Sequence, residues 1–411
     1  MTVLMVFGLF AFIFRLNSRR EMNRELTGPL IFEHLRALFP DIDTIPHADT
    51  LGRVLQDINP ERLAAIHVNL VKDLIKKKKF RRMLIEGCIP ITIDGSQKLC
   101  RDGLLQDGGW CERRVGRPEA GNKQQYIYVL EANLTLKSGL TIPLMSEFLY
   151  RSNNTIEQDA GKQDCETTAF ERLAARLKGY FPRLRILMMA DAMFATQPVM
   201  SIMRKNHWEH IIRLPKRKLR DFAKQLNARK PFSQSIPHQH HYRKRKQSFY
   251  WENDIIYGYE LDLNINLIAC FEEYEEVNKK TGGTEKRFSE HTWISSIPAK
   301  IDNLHELLNC GARKAELIED SFNTAKNRSY QYTHAFSHKW NGMRGFHYLM
   351  RLAHAINAIS EFTKVLKRYI KELGVSATLK LIKSTLFNPW LSIEWYANQN
   401  LEPPQLCLLL E

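Results

Sequence analysis

LRILMMAD, Leu184 to Asp191, is apolar at every position but Arg185 until it ends on a carboxylate. A run this short and this apolar reads as a strand buried on both faces of a sheet. Upstream of it, DCETTAFERLAARLKGYFP (Asp164 to Pro182) has helical period, with Asp164 placed to cap the start and Pro182 just beyond the end. Downstream, a helix over about Thr196 to Asn206 is followed by the strand WEHIIRLP, Trp208 to Pro215. Three more strand-like runs precede this unit: IPITIDG (Ile89 to Gly95), YIYVLEANL (Tyr126 to Leu134) and GLTIPLMSEFL (Gly139 to Leu149), the last two joined by the turn signal KSG. Three strand-like runs, then helix, strand, helix and strand, describe a mixed α/β sheet with helices packed on it.

Further out the pattern changes. Residues 1–85 read as helical, with Met22, Leu26, Leu30, Leu35 and Leu38 near helical spacing and prolines 29, 40, 46 and 60 as interruptions. Residues 86–214 hold the α/β unit. Between 215 and 310 regularity drops, and strand-like pieces (SFYWEND, IIYGYEL, NLIACFEE, HTWISSIP) are mixed with the basic runs KRKLR and HQHHYRKRK, as in a β-rich insertion interrupting the core. From 311 to 411 helical period returns, in ARKAELIEDSFNTAKNRSY (Ala312 to Tyr330) and in Gly345 to Gly374.

The 411 residues are 44 % hydrophobic and 26 % charged, an ordinary globular balance that excludes a collagen-like or wholly disordered chain. Sixty Lys and Arg against 45 Asp and Glu leave a net charge of +15, and the pI is near 9.4. That excess suits a protein that holds phosphate backbones, and also a soluble enzyme with a basic surface. The seven cysteines are scattered without a CxxC, which argues against a disulfide framework or a zinc ribbon. VLMVFGLFAFIF, Val3 to Phe14, carries its positive charge after the apolar run, unlike a signal peptide, and falls short of the roughly 20 residues a bilayer requires. A buried helix is the favoured reading, with an interfacial anchor second. A cytoplasmic protein is expected. KKKKFRR, which contains Lys76, Lys77, Lys78, Lys79, Arg81 and Arg82, is either a solvated helix face or a phosphate contact.

Three carboxylates hold informative places. Asp94 closes the first strand-like run, Asp191 closes the buried one, and Glu319 lies in the helix after the insertion. Functional groups collect at strand ends in open α/β sheets. Carboxylates gathered there repel unless a cation sits among them, and Mg²⁺ or Mn²⁺ with oxygen ligands meets that need. Two such ions can activate an attacking oxygen and steady the leaving one in in-line phosphoryl transfer. The plainer alternative is that Asp94 and Asp191 begin turns, as Asp often does, Asp94 before Gly95 above all.

ITIDGSQ, LMMADAMFA and LIEDSFNTAKNRSY resemble the three catalytic blocks of DDE transposases in the large bacterial insertion-sequence family numbered four. HADTLGRVL, YIYVLEANL, LTIPLMSEFL and SHKWNGMRGFHYLMRLAH extend the resemblance over most of the chain, and the long interval between Asp191 and Glu319 suits a family with a β-rich insertion there. The resemblance implies a ribonuclease-H-like core split by that insertion and preceded by a helical DNA-binding region. It implies Asp94, Asp191 and Glu319 as the catalytic triad binding Mg²⁺ or Mn²⁺, expected as two ions. Nicking at the terminal inverted repeats of an element would be followed by strand transfer into target DNA. A homodimer associated with the nucleoid is expected as the active form, with no membrane partner. Lys326, seven residues after Glu319, matches the family's phosphate-contacting Lys. The family's Arg and Tyr upstream of the Glu are replaced by Ala315 and Ala312, with Arg313 nearby at a different helical angle. That departure motivates an alternative, a catalytically decayed or domesticated relative that grips DNA without cutting it.

Other residues draw weaker readings. Glu131, Glu147, Asp164 and Glu166 read as exposed or capping, with added charge near the site as the sharper role. His238, His240 and His241 read as part of a basic loop touching DNA. Tyr330, Tyr332, His334, Trp340 and His347 read as core packing, with stacking on a DNA end as the alternative.

Overall fold

A computed structural model of the chain describes residues 1–102, 110–115, 123–149, 165–214, 237–257, 263–277, 282–313, 326 and 330–387. Its strands are β1 (Ile89–Asp102), β2 (Cys111–Arg114), β3 (Lys123–Thr135), β4 (Thr141–Phe148), β5 (Ile186–Ala190), β6 (Glu209–Arg213), β7 (His238–Tyr242), β8 (Arg245–Tyr257), β9 (Leu263–Val277) and β10 (Thr284–Ser295). They form one sheet in the order β2-β3-β1-β5-β6-β10-β9-β8-β7, with β4 also paired to β3. β5 runs parallel to both β1 and β6. The remaining pairs are antiparallel. All five residues of β5 are buried, as its unbroken apolar run requires of a central strand.

Helices α1 (Thr2–Ile13), α2 (Arg19–Leu26), α3 (Pro29–Leu38), α4 (Ala48–Asp57) and α5 (Glu61–Lys76) come first, α6 (Glu166–Tyr180) and α7 (Gln197–Lys205) flank β5, and α8 (Trp340–Glu361), α9 (Lys364–Leu373) and α10 (Val375–Phe387) follow. On one side of the sheet, Phe170, Leu173 and Leu177 of α6 and Met200 and Met203 of α7 pack on Ile91, Ile93, Leu130 and Ala132. Elsewhere Ile127 and Val129 share a core with α1, α4 and α8. The N-terminal helices and α8 therefore bury one another. The apolar run of α1 is spent inside the protein: Phe12 meets Phe336 edge-on at 5.1 Å, and Gly8 lies so close to α4 that a Cβ there would stand 2.8 Å from a methyl of Leu51. No described helix is long and apolar enough to cross a membrane.

Two features differ from the sequence reading. The β-rich segment does not interrupt the sheet but continues it, because Trp293–Ser295 of β10 pair with Ile211–Arg213 of β6 and share an apolar cluster with Leu187 and Met189 of β5. Nor does β1 end at Asp94. It runs on to Asp102 because β3 supplies an antiparallel ladder from Ile91↔Leu134 to Asp102↔Gln124. An Asp-Gly pair favours a turn locally, but a neighbouring strand decides whether the turn forms.

Candidate active site

Ile93↔Ala190 is the last pair in the parallel ladder between β1 and β5, and Asp94 and Asp191 are the next residue on each strand. Neighbouring strands run about 4.8 Å apart, so the two residues stand side by side on adjacent strands where β5 ends and β1 continues. Backbone amides orient both: Asp94 Oδ1 accepts from Gly95 N at 2.8 Å, and Asp191 Oδ1 accepts from Ala192 N at 2.6 Å. The second bond caps the short turn Ala192–Phe194, which Phe194 anchors against Phe170 of α6.

Glu166, the first residue of α6, lies over Gly95 within electrostatic reach of Asp191. A Cβ on Gly95 would lie 2.6 Å from Tyr128 Oη and 2.7 Å from Glu166 Oε1, so only glycine lets these two groups meet above β1. Tyr128 donates its hydroxyl proton to Glu166. Burial, then Glu166, pushes the Tyr128 phenol well up. Burial also pushes the Glu166 carboxyl up, against the Tyr128 hydrogen bond and with help from the Asp191 charge. Glu166 Oε2 is buried and has no hydrogen-bond partner among the described residues.

Lys326 is half-buried within electrostatic reach of Asp94: burial pulls its ammonium pKa down while the Asp94 carboxylate pushes it up. Glu319, Ala315 and Asp164 lie outside the described residues. Among those described, no three His, Cys, Asp or Glu side chains already converge as a complete metal site. The carboxylate oxygens of Asp94 and Asp191 are of the kind a hard divalent ion takes.

The other expected contacts lie elsewhere. Arg313 is ion-paired to Glu272, a carboxylate with no solvent exposure that also accepts from Arg245 at 2.8 Å and Gln247 at 2.7 Å. Its charge is thus engaged within the β8–β10 part of the sheet. Lys76, Lys77, Lys78, Arg81 and Arg82 are exposed and Lys79 is half-exposed, around a Phe80 that is buried in the core. This loop meets the β3–β4 turn, where Lys137 N donates to Met83 O. That turn sits at the start of β1, five residues or about 17 Å along the strand from Asp94. His240 lies on β7 at the far edge of the sheet, 3.1 Å from His305. Tyr330, Tyr332 and His347 are buried, and Trp340 packs on Phe148, as core packing predicts. Glu147 is held by Arg172 and Arg176.

Sequence reasoning missed Tyr128 and the role of Gly95. The usable signal was present: once β3 pairs with β1, Tyr128 falls diagonally across from Gly95, and only a residue without Cβ leaves its ring room. The chain matches no protein-family model, and comparison with curated proteins gives no match.

Proposed function

We propose that the chain is a DDE-type transposase similar to the insertion-sequence family numbered four, which cuts the terminal inverted repeats of a mobile element and joins them to target DNA. The observation that carries this reading is the placement of Asp94 and Asp191 at adjacent positions of parallel strands, with Lys326 within electrostatic reach of Asp94. Parallel β1, β5 and β6, flanked by the antiparallel β3 and by helices, support the ribonuclease-H-like core. Asp94 and Asp191, with Glu319 by resemblance, would hold the Mg²⁺ or Mn²⁺. When bound, the ions activate the attacking oxygen and stabilise the leaving one.

In this reading Gly95 N and Ala192 N keep the two carboxylates aimed off the sheet. Lys326 offers its ammonium to a DNA phosphate next to the scissile bond. In the first step a water oxygen attacks phosphorus and the bond to the 3′-oxygen breaks, leaving a 3′-hydroxyl and a 5′-phosphate. In the second, that hydroxyl attacks a target phosphodiester and displaces its 3′-oxygen. Joining two ends at once calls for a homodimer, and work on chromosomal DNA places the protein at the nucleoid in the cytoplasm.

The test is a supercoiled donor plasmid bearing the inverted repeats that flank the reading frame. Mg²⁺-dependent nicking that disappears in Asp94→Ala is the expected result. Tight binding of the ends without a nick under any divalent metal would favour the second reading, a DNA-binding relative that no longer cuts. The engagement of Arg313 by Glu272 and the burial of Ala312 are the observations on its side. Lys326→Ala is expected to weaken binding of end DNA and to reduce the salt slope of binding by about one phosphate contact. An unchanged slope removes Lys326 from the interface.

A further inference from the structure

Behind Asp94 the protein buries an unusual amount of charge. Lys98, four residues further along β1, is 1 % exposed. Glu131, which pairs with Asp94 across the β1–β3 ladder, is 0 % exposed. Glu131 Oε2 accepts from Ser146 Oγ at 2.7 Å and faces Arg351 of α8 at 3.2 Å, while its Oε1 accepts from Tyr332 Oη at 3.1 Å and lies 3.4 Å from His347. Lys98 Nζ donates to the Tyr332 carbonyl at 2.8 Å and stands over the Tyr332 ring. Tyr332 is thus gripped twice, at its backbone by β1 and at its side chain by β3, only six residues beyond Lys326.

Burying ions in this way is seldom the most stabilising choice, since an apolar cluster of the same volume does as well or better. What a buried polar network adds is a narrower choice of arrangements, and here Glu131 is bonded at both oxygens although Arg351 Nε and Nη1 and His347 Nδ1 have no partner among the described residues. Two of these bonds, Lys98 Nζ to the Tyr332 carbonyl and Tyr332 Oη to Glu131, tie the strand that carries Asp94 and its partner strand to the segment that begins at Tyr330. Asn357 Nδ2 donates to Tyr330 Oη at 2.8 Å and fixes the start of the same segment on α8.

We propose that Lys98, Glu131 and Tyr332 are positioning residues that dock the segment Tyr330–Phe336 across β1 and β3 and so keep Lys326 within reach of Asp94. The inference rests on the reading of Lys326 as a phosphate contact. It adds the device that sets where this contact is made, using residues that never touch DNA or metal.

The test uses the full chain, with two readouts. In Lys98→Met, amide hydrogen exchange over Tyr330–Phe336 should rise at least tenfold while β5 and α6 keep their protection. The salt slope for a duplex carrying the terminal inverted repeat should fall by about one contact, the loss expected of Lys326→Ala, and the double variant should lose no more than either single one. Tyr332→Phe, which removes only the bond to Glu131, should give a smaller rise in exchange, about threefold, and serves if Lys98→Met does not fold. Unchanged exchange in a folded variant overturns the docking whatever the DNA result. A slope that falls in Lys326→Ala but not in Lys98→Met overturns the positioning role alone. A slope that ignores Lys326→Ala overturns the phosphate contact and, with it, the role assigned to the network.

Discussion

If the chain cleaves DNA as proposed, Asp191→Asn should abolish metal-dependent cleavage, lowering the rate by on the order of a thousandfold or more, and should leave affinity for end DNA unchanged or raised. The amide keeps the oxygen that accepts from Ala192 N, so the cap on the Ala192–Phe194 turn survives. Asp191 is exposed, so the change disturbs no core. What disappears is one negative oxygen donor of the pair proposed to hold the divalent ion. A bound divalent ion contributes several kcal/mol of transition-state stabilisation, and each 1.36 kcal/mol is a factor of ten in rate. DNA phosphates, in contrast, meet one less repelling charge. Plasmid nicking and gel-shift titrations on the same preparation check both halves. Loss of DNA binding, or of helical circular dichroism, would assign Asp191 to the fold rather than to the chemistry, and retained cleavage would remove it from the site.

Asp191 was the more legible of the two aspartates, for a physical reason. Leu184 to Ala190 is apolar enough that only a central parallel strand can use it, and such a strand ends at its first charged residue. Asp94 is marked in the sequence by its place in a strand-like run and not by its environment. Its Asp-Gly dipeptide signals a turn within a few residues, whereas the ladder that carries β1 on to Asp102 comes from β3, more than 20 residues away. The same limit hides Tyr128, and it hides the meeting of Tyr128 with Glu166 over Gly95, which depends on how α6 and β3 cross β1. The basic run Lys76 to Arg82 stands out in the sequence, and around the buried Phe80 its cations are exposed or half-exposed. Its distance from Asp94 follows only from the β3–β4 turn against which it packs. In the β-rich segment the strands were visible in the sequence. Their continuity with the core sheet was not, because it depends on three residues of β10 against β6.

The fold itself should be acid-labile well above the pH at which carboxylates titrate, and the cause is a set of buried neutral histidines. Burial, with Arg351 adding to it, pulls His67 down to about 3, and burial alone pulls His210 down to about 4, from an ordinary value of 6.5. His347 and His354 on α8 are also driven well below that value by burial, with Lys98 and Arg351 respectively next in effect. His67 Nε2 donates to the Pro143 carbonyl at 2.8 Å, while neither ring nitrogen of His210 has a partner among the described residues. Between pH 6.5 and the folded values the unfolded chain binds protons that the folded chain refuses, so stability is full above about 6.5 and falls as pH drops through that window. At pH 5 each of His67 and His210 has cost about 2 kcal/mol, against a total stability of about 5–15 kcal/mol for a folded protein. The other two histidines act in the same direction. Urea midpoints should therefore drop steeply between pH 7 and pH 5, and His210→Phe, which removes an unpaired polar ring, should flatten the drop by about its own share. A His210→Phe protein that loses as much stability on acidification as the parent would show that this buried ring takes up its proton without unfolding.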